Sequence, residues 1–413
     1  MRKLLIICDM FPPAFGPRMG YLCKFLKQQG WDISVVTEYI DDQTFSFLEG
    51  NASVTYINYY NAPGKFLKKI QWIFVMLLDF LFYYKDKKII EICTPLLQTD
   101  HYEGIICSTY RTFPLPAAQA LSEKFGIPFI ADLRDIIEEY ASTEYIAHKL
   151  SGIQWLDNLI TSVFTKRLLK DRNKALKAAH CITTVSPWHV KVLSQYNPRT
   201  ELIYNGFDPE IFYPEQIKTP KFTITYTGRL LSLAIRNPEL LFQAIAKLQA
   251  EKAISADDFR VVWYTDPESQ AIIEAETKRF SIETFMEYHG YVPATEIPAI
   301  LNKSSILLSL SNKFESNGPK GFMTTKFFES LAVEKPILCV RSDEAYLAQT
   351  IKETHSGLAA TEVGEVYDFI KHYYTEWKEK GYTNSQINKK ELAKFSRKEQ
   401  ALQFVKLFNK NRL

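Results

Sequence analysis

The segment Gly321–Ala332 reads GFMTTKFFESLA, and the residues at 334–338 read EKPIL. A glycine-containing loop leads here into a helix pattern that begins after a threonine, and an apolar strand pattern comes next. Backbone N–H groups at the start of such a helix favour an anion such as a diphosphate. Lys326 and Glu329 are three positions apart and therefore share one helical face. The segment predicts a helix-and-strand step of an α/β sheet with an anion site at its edge; a solvent-exposed Lys–Glu pair is the alternative.

Short apolar runs alternate with helix patterns over the rest of the chain. In the second half the strand candidates are Phe222–Tyr226, Phe259–Tyr264, Phe285–His289, Ile306–Leu310 and Pro336–Val340. In the first half they are Leu4–Cys8, Ile33–Thr37, Val54–Tyr60, Gly104–Ser108, Pro128–Asp132 and Cys181–Val185. Alternation of this kind predicts parallel sheets with helices on both faces. The fold class is therefore α/β, with two Rossmann-like domains in series that are expected to face each other across a cleft.

The boundary between the two domains is predicted near Asn205–Pro220, which contains an Asn-Gly turn and two prolines. This gives a first domain over residues 1–205 and a second over 206–395. The last helix pattern lies within 396–413 and could pack back on the first domain. Open α/β sheets bind ligands beyond the carboxyl ends of their strands. We therefore expect an acceptor half-site in the first domain and a donor half-site in the second.

Composition excludes several classes of function. The chain has 413 residues with 50 basic and 47 acidic side chains, and this balance argues against a nucleic-acid partner. Its six cysteines form no CxxC pair, and its seven histidines show no metal-ligand spacing. The N-terminus begins with a strand-like run and lacks the pattern of a signal peptide. These features predict a cytoplasmic protein without a metal site.

Two further motifs follow predicted strands. Tyr226-Thr227-Gly228-Arg229 ends the first strand of the second domain, and Arg236 comes seven residues after Arg229. Glycine permits a ligand to approach the backbone closely, and arginine offers planar donors to phosphate. The motif therefore suits phosphate binding; two solvated arginines on a loop are the alternative.

In the first domain, the loop FPPAFGPRMG at 11–20 follows the first strand and contains Gly16 and Arg18. It is not the GxGxxG fingerprint, which argues against a common NAD enzyme. Asp132, Arg134 and Asp135 stand at the end of a buried strand pattern. Charged residues at that place often line a ligand cleft, and a structural Arg–Asp pair is the alternative.

Together these segments resemble retaining glycosyltransferases of the GT-B fold, glycosyltransferase family 4. The likeness extends over nearly the whole chain in the right order. It is carried by Phe11–Gly20, Asp132–Asp135, Val185-Ser186, Asn205–Asp208 with Phe212, Tyr226–Arg229, His289–Val292 and Lys326–Glu329 with Lys335–Ile337. The resemblance implies transfer of a sugar from a nucleotide diphosphate-sugar to a glycan or lipid-linked glycan acceptor, with retention, in surface polysaccharide biosynthesis. It implies no cofactor and no divalent metal, because arginine and lysine stabilise the leaving diphosphate.

The resemblance also implies a role for each residue of the predicted site. Arg229 and Lys326 would bind the diphosphate, and Glu329 would bind the ribose; these three are the catalytic candidates. The other donor-binding candidates are Gly16, Gly228, Arg236, Gly321, Thr324 and Thr325, with Tyr291 and Val292 framing the base. The acceptor-side candidates are Arg18, Asp132, Arg134 and Asp135.

The chain departs from the pattern of the family at two positions. Many members carry a glutamate eight residues before the ribose glutamate, where this chain has Gly321. The Lys-x-x-Glu form seen here resembles a branch found among capsule and O-antigen assembly enzymes. The second diphosphate cation of the family falls on Ile235, and Arg236 next to it is the substitute. The missing glutamate keeps a non-catalytic scaffold of a polysaccharide assembly complex open as an alternative. A GT-B-fold nucleotide-sugar epimerase is a second enzyme alternative.

The segment 65–88 contains apolar runs at 72–78 and 80–84 separated by Asp79, with lysines at 65, 68, 69, 85, 87 and 88. The apolar stretch is too short for a spanning helix. It predicts either a helix buried between the domain and its sheet, or a helix lying on the inner leaflet of a membrane. At about 1 kcal/mol per lysine, an anionic surface would contribute up to about 6 kcal/mol in the second case.

Overall fold

The computed structural model describes residues 2–139, 152–311, 323–340 and 345–409. The chain divides into two compact units, one of Met1–Tyr204 with Arg397–Leu413 and one of Asn205–Ser396. Each unit contains one parallel sheet with helices on it. This confirms the α/β fold class with two Rossmann-like domains.

The sheet of the first unit has seven strands among the described residues, in the order β3-β2-β1-β4-β5-β6-β7. They are β1 (Arg2–Cys8), β2 (Trp31–Glu38), β3 (Ser53–Ile57), β4 (Gly104–Thr109), β5 (Phe129–Leu133), β6 (Cys181–Thr184) and β7 (Thr200–Leu202). All neighbouring strands are parallel. The strand order reverses between β1 and β4, which places a topological switch point at the carboxyl ends of these two strands.

Helices cover both faces of this sheet. They are α1 (Pro17–Gln28), α2 (Lys65–Phe82), α3 (Tyr84–Thr99), α4 (Leu115–Phe125), α5 (Gln154–Ala178) and α6 (Pro187–Leu193). Side chains alternate along a strand, so Leu5 and Ile7 of β1 enter the core shared with α3 and α4. Leu4 and Ile6 enter the opposite core together with Phe25 of α1. Because both faces are covered there, the central strand β1 is apolar and buried from Leu4 to Cys8.

The sheet of the second unit has six parallel strands among the described residues, in the order β10-β9-β8-β11-β12-β13. They are β8 (Phe222–Thr227), β9 (Phe259–Tyr264), β10 (Met286–His289), β11 (Ile306–Leu310), β12 (Ile337–Val340) and β13 (Gly357–Ala360). The helices are α7 (Glu239–Ala250), α8 (Pro267–Arg279), α9 (Ile297–Asn302), α10 (Thr325–Ala332), α11 (Ala345–Thr354), α12 (Val363–Lys380) and α13 (Lys389–Ala393). The order reverses between β8 and β11, so this switch point lies at the end of β8.

The last helix, α14 (Arg397–Asn409), belongs to the first unit although it follows the second in sequence. Its buried residues Ala401, Phe404 and Leu407 pack in the same core as Leu4 and Phe25. The chain therefore returns to its first unit at its end, and α14 helps to cover one face of the seven-stranded sheet.

The segment 65–88 forms two helices, because Tyr83 takes a left-handed conformation with φ of 55° between α2 and α3. Val75 is the buried residue of α2, and many of the other apolar side chains of this helix are exposed. The prediction of a helix buried between the domain and its sheet is therefore wrong for α2. Among the described residues, no helix is both long and apolar enough to cross a bilayer.

Two of the six lysines in this segment are engaged by carboxylates. Lys85 pairs with Glu38 and lies over the rings of Tyr59 and Phe113. Lys88 pairs with Glu91 at 2.8 Å. The electrostatic contribution of the segment to binding an anionic surface is therefore smaller than the sum over all six lysines.

A carboxyl group of α3 makes the stability of the first unit depend on pH. Asp86 accepts a hydrogen bond from the amide of Ala117 at 3.1 Å. Burial, followed by the negative charge of Asp79, raises its pKa to about 8. An unfolded aspartate has a pKa of about 3.9, so the unfolded chain releases this proton at lower pH than the folded chain. The contribution of protonated Asp86 to the free energy of unfolding is therefore complete below pH 4 and is lost as the pH rises towards 8.

We therefore expect Asp86→Asn to remove part of this pH dependence. Between pH 5 and pH 8, the free energy of unfolding of the wild type should fall by about 2–4 kcal/mol more than that of Asp86→Asn. Urea unfolding at both pH values measures the difference, with the exposed Asp368→Asn as the matched control. Equal pH slopes for the wild type and Asp86→Asn would show that Asp86 is not protonated in the folded chain.

Candidate functional site

The candidate site begins where β8 ends. Gly228 has φ of 148°, a backbone conformation that side-chain-bearing residues rarely adopt. A Cβ atom at this position would lie 2.8 Å from Nζ of Lys326. The backbone turn therefore favours glycine, and the lysine ammonium lies directly against this turn. The switch point of the second sheet and the first turn of α10 meet at this position.

Two side chains hold the loop after Gly228 through a single carbonyl group. The carbonyl oxygen of Arg229 accepts a hydrogen bond from the Tyr226 hydroxyl at 2.8 Å and one from Nη1 of Arg236 at 2.6 Å. Tyr226 is itself buried in the core of the second unit. The loop is thereby anchored to the sheet, and the guanidinium of Arg236 is placed beside the backbone of Arg229.

The guanidinium of Arg229 points away from the loop, towards two other elements. Its Nε donates to the Tyr291 hydroxyl at 3.0 Å and lies 3.8 Å from Oδ2 of Asp266. Asp266 caps the N-terminus of α8 by accepting from the amide of Ser269 at 3.0 Å. The side chain of Arg229 nevertheless remains 64% exposed. It is therefore oriented by its neighbours and still accessible to a ligand.

Lys326 completes a group of three cations. Desolvation lowers the pKa of Lys326, the positive charges of Arg236 and Arg229 lower it as well, and the negative charge of Glu329 raises it. Like charges that are held together disfavour one another, and an anion among them relieves this repulsion. The cluster is therefore prepared for an anion with more than one negative charge.

The N-terminus of α10 adds backbone donors to this cluster. Thr324 is the N-cap residue, and within the described part of the chain its side chain makes no capping hydrogen bond to the helix. The first helical turn contains no acidic residue, and both Thr324 and Thr325 are exposed. Amide groups at such a helix start bind anions. Glu329 lies one turn further on and is half-buried.

The structure brings together most of the predicted donor-site residues. The contacts and charge interactions described above connect six of them: Gly228, Arg229, Arg236, Tyr291, Lys326 and Glu329. Val292 follows Tyr291 and is half-buried. Gly321 lies outside the described residues. Asp266, which the sequence pattern alone does not single out, orients Arg229; its only local signal is the Asp-Pro pair between β9 and α8.

In the first unit, two of the predicted acceptor-side residues are part of the core. Asp132 is 0% exposed and Arg18 is 4% exposed. Nε and Nη2 of Arg18 donate to Asp132 at 2.9–3.2 Å, and the same guanidinium donates to the carbonyl groups of Ile203 and Tyr204 at 2.9 Å. Burial would raise the pKa of Asp132, but the charge and hydrogen bonds of Arg18 outweigh it and hold the pKa below its ordinary value.

The assignment of Arg18 and Asp132 to an acceptor site is therefore corrected. The hydroxyl groups of Ser108 and Thr183 also donate to Asp132, each at 2.8 Å. Arg18 lies under the ring of Phe404, 5.3 Å from its centroid. These contacts connect α1, three strands and α14, so the pair holds the unit together and leaves no surface for a ligand.

Arg134 and Asp135 lie closer to the surface at the carboxyl edge of the same sheet. Arg134 forms an ion pair with Asp9 at 2.6 Å, and Asp9 also accepts from the Thr109 hydroxyl at 3.0 Å. Burial, followed by the charge of Glu139, raises the pKa of Asp135. This edge is the remaining part of the predicted acceptor side.

Gly16 packs closely against the backbone of its own loop. A Cβ atom at Gly16 would lie 2.7 Å from the carbonyl oxygen of Met10 and 2.7 Å from Cα of Phe11. The glycine thus allows the loop after β1 to fold tightly before α1 begins. Its approach to a phosphate or sugar remains a prediction.

Among the described residues, no group of three or more His, Cys, Asp or Glu side chains is arranged to hold a metal ion. The positive charge of the candidate site comes from Arg229, Arg236 and Lys326, beside the helix N-terminus. What the arrangement can do chemically is bind a polyanion and stabilise negative charge that develops on it.

Solved structures of known proteins share this fold. A glycosyltransferase from Rickettsia africae superposes with a TM-score of 0.63 at 14% identity, covering 99% of both chains. HepE of Anabaena in complex with UDP gives 0.60 at 14% identity, covering 98% of this chain and 99% of that chain. UDP-GlcNAc 2-epimerase from Neisseria meningitidis bound to UDP-GlcNAc gives 0.54 at 14% identity, covering 99% and 100%. Neither a family model nor a curated protein sequence matches the chain.

At this level of identity the likeness establishes the fold. The chain has the GT-B fold, with two Rossmann-like units, and the likeness spans nearly the full length of the compared chains.

Proposed function

We propose that the protein is a glycosyltransferase that moves a sugar from a nucleotide diphosphate-sugar to a glycan or lipid-linked glycan acceptor. The observation that carries this proposal is the cluster of Arg229, Arg236 and Lys326 at the switch point of the second sheet. Such an edge is where open α/β sheets bind their ligands. The cluster matches the two negatively charged phosphates of a nucleotide-sugar, and HepE of the same fold is in complex with UDP.

Each side chain has a distinct role in the proposed reaction. Arg229 and Lys326 neutralise the charge that builds up on the leaving diphosphate when the bond to the sugar breaks. Glu329 accepts hydrogen bonds from the ribose hydroxyls, and Tyr291 with Val292 frames the base. The amides near Thr324 and Thr325 support the phosphates. No divalent metal and no further cofactor are needed in this scheme, because the cations and the helix supply the positive charge.

The resemblance to family 4 extends the proposal to the stereochemistry and the pathway. The anomeric configuration would be retained, with the acceptor hydroxyl attacking on the same face from which the diphosphate leaves. The diphosphate itself would help to take up the proton of the acceptor. The capsule and O-antigen branch resembled by Lys326–Glu329 points to surface polysaccharide biosynthesis at the inner face of a membrane.

A thermal-shift screen against nucleoside diphosphates and their sugars identifies the donor, because a ligand that binds the folded state raises the apparent melting temperature. UDP and UDP-sugars are the first to test. Turnover of the identified donor, with and without an acceptor glycan, then separates an enzyme from a non-catalytic scaffold. Retention of the anomeric configuration in the product completes the test. No shift with any nucleotide would contradict the proposal.

An epimerase is the second candidate, since UDP-GlcNAc 2-epimerase of Neisseria meningitidis shares the fold. The two functions give different products from the same donor. A transferase releases nucleoside diphosphate and lengthens the acceptor, whereas an epimerase returns an isomeric sugar without needing an acceptor. Product analysis by NMR therefore separates them.

We expect Glu329→Ala to weaken binding of the free nucleoside diphosphate by about 1.5–3 kcal/mol, because hydrogen bonds from the ribose to a charged acceptor are lost. Isothermal titration calorimetry measures this change, and the exposed Glu379→Ala on α12 is the matched control. The same nucleotide lacking both ribose hydroxyls should bind the wild type and Glu329→Ala equally. Unchanged affinity of Glu329→Ala for the normal nucleotide would remove the glutamate from the ribose site.

A further inference from the structure

The first unit presents an apolar surface formed by two helices. On α2 the exposed side chains include Phe66, Phe74, Leu77 and Phe82, which are 44–75% exposed. On α5 they include Trp155, Leu159 and Val163, which are 48–68% exposed. The helices contact each other where the rings of Phe80 and Phe164 stack with centroids 4.2 Å apart. The surface thus extends beyond the segment 65–88 that the sequence singles out.

A cavity of about 370 Å³ lies between these two helices and the carboxyl edge of the sheet. Six aromatic side chains line it: Tyr60, Trp72, Phe80, Tyr83, Phe113 and Phe164. Its volume lies in the range of small-molecule sites, which combine an apolar lining with a few placed polar groups. The cavity is therefore large enough for a sugar and the linkage that attaches it.

The polar groups of the cavity carry both signs of charge. Arg167 lies 4.6 Å from the ring centroid of Phe80 and 3.8 Å from the carboxylate of Asp171. The hydroxyl of Tyr83 also donates to Asp171, at 3.1 Å. Arg111 and Asp79 line the same space. Aromatic faces beside arginine and carboxylate groups suit a ligand that has sugar hydroxyls or a phosphate at one end and a hydrocarbon at the other.

Charge on the apolar surface indicates what covers it. Lys65, Lys68 and Lys69 are exposed on the first turns of α2, and Lys166 and Lys170 are exposed on α5. The carboxylate of Asp79 on α2 lines the cavity, whereas these lysines lie on the exposed surface. Exposed aromatic and aliphatic side chains bordered by lysines match the interface of a bilayer with anionic lipids.

We propose that this cavity is the acceptor site and that it binds the saccharide end of a lipid-linked acceptor, whose hydrocarbon chain passes between α2 and α5 into the bilayer. The inference rests on the proposed function, because it names the acceptor for sugar transfer. It assigns the membrane contact to both helices and gives the cavity residues Trp72 and Arg167 direct contact with the acceptor.

The membrane contact is tested by flotation of the full chain with vesicles of phosphatidylcholine containing 30% phosphatidylglycerol. The double variants Phe74→Ser with Leu77→Ser, and Leu159→Ser with Val163→Ser, should each lower the bound fraction at least five-fold. Tyr213→Ser, which removes an exposed aromatic ring from the second unit, is the matched control and should bind as the wild type does. Wild-type binding by the Leu159 and Val163 variant would overturn the role of α5.

The cavity is tested by calorimetry with dodecyl maltoside and dodecyl phosphate below their micelle concentrations. The wild type should bind at least one of them, and Trp72→Ala and Arg167→Gln should weaken that binding at least ten-fold. A preference for the phosphate or for the maltoside tells which polar end the cavity recognises. Absence of binding by the wild type, or unchanged binding by both variants, would overturn the proposal.

Binding of the nucleoside diphosphate is measured on the same samples. Retained nucleotide affinity in the cavity variants shows that the second unit is intact. Absence of nucleotide binding by the wild type would contradict the proposed function. Binding of dodecyl maltoside and dodecyl phosphate would still test the cavity separately.

Discussion

Lys326→Ala is expected to lower kcat/KM for the nucleotide-sugar by roughly 10- to 150-fold. One charge-assisted contact to the leaving diphosphate is worth about 1.5–3 kcal/mol, and the loss should fall on the transition state. The expectation rests on the position of the ammonium, which lies 2.8 Å from the place a Cβ atom at Gly228 would occupy, between β8 and α10. Steady-state turnover of the donor identified by thermal shift measures the effect.

The control for this variant is Lys352→Ala, which removes an exposed lysine from α11 of the same unit. It should leave kcat/KM within a factor of two. Lys326→Arg keeps the charge and should recover part of the lost rate. Turnover by Lys326→Ala at the wild-type rate would show that the lysine does not act on the diphosphate.

Asp132→Ala is expected to destabilise the first unit by about 3–5 kcal/mol. The substitution leaves the guanidinium of Arg18 buried without its carboxylate, and a buried unpaired charge is among the most costly changes in a core. The two side chains are 0–4% exposed, and Asp132 also accepts hydrogen bonds from the hydroxyl groups of Ser108 and Thr183. Urea unfolding at neutral pH measures the change in free energy.

A double-mutant cycle separates the ion pair from its surroundings. Arg18→Met and Asp132→Ala should each cost several kcal/mol, whereas the double variant should cost clearly less than their sum, because neither charge is left unpaired. The folded fraction of each variant should bind the nucleoside diphosphate as the wild type does. Additive losses, or wild-type stability of Asp132→Ala, would contradict the structural role given to this pair.

Local hydrophobic patterns predict most strands of the two sheets, because the residues that form a strand are consecutive in sequence. Leu4–Cys8 is recognised because strands covered on both faces are apolar throughout. Two strands are missed for physical reasons. Thr200–Leu202 has only three residues, and Gly357–Ala360 consists mostly of small residues without β-branched side chains.

Contacts between residues far apart in sequence explain the rest. Arg18 follows a strand and resembles a ligand-binding arginine, but its partner Asp132 is 114 positions away, so no local pattern reveals a buried pair. The left-handed conformation of Tyr83, which divides 65–88 into two helices, is likewise invisible in the hydrophobic pattern. In the second unit, the motif around Lys326 and that around Gly228 are each visible in sequence, and only the fold brings them together.

The central claim is that Arg229, Arg236 and Lys326 bind the diphosphate of a nucleotide-sugar, and one calorimetric comparison tests it most directly. The nucleoside diphosphate that raises the melting temperature most is titrated into the wild type beside its own monophosphate. The second phosphate should add at least one charge-assisted contact, so the diphosphate should bind more than ten-fold tighter. This advantage should vanish when Arg229 and Lys326 are both replaced by alanine. Equal affinity of the wild type for the diphosphate and the monophosphate would contradict the account.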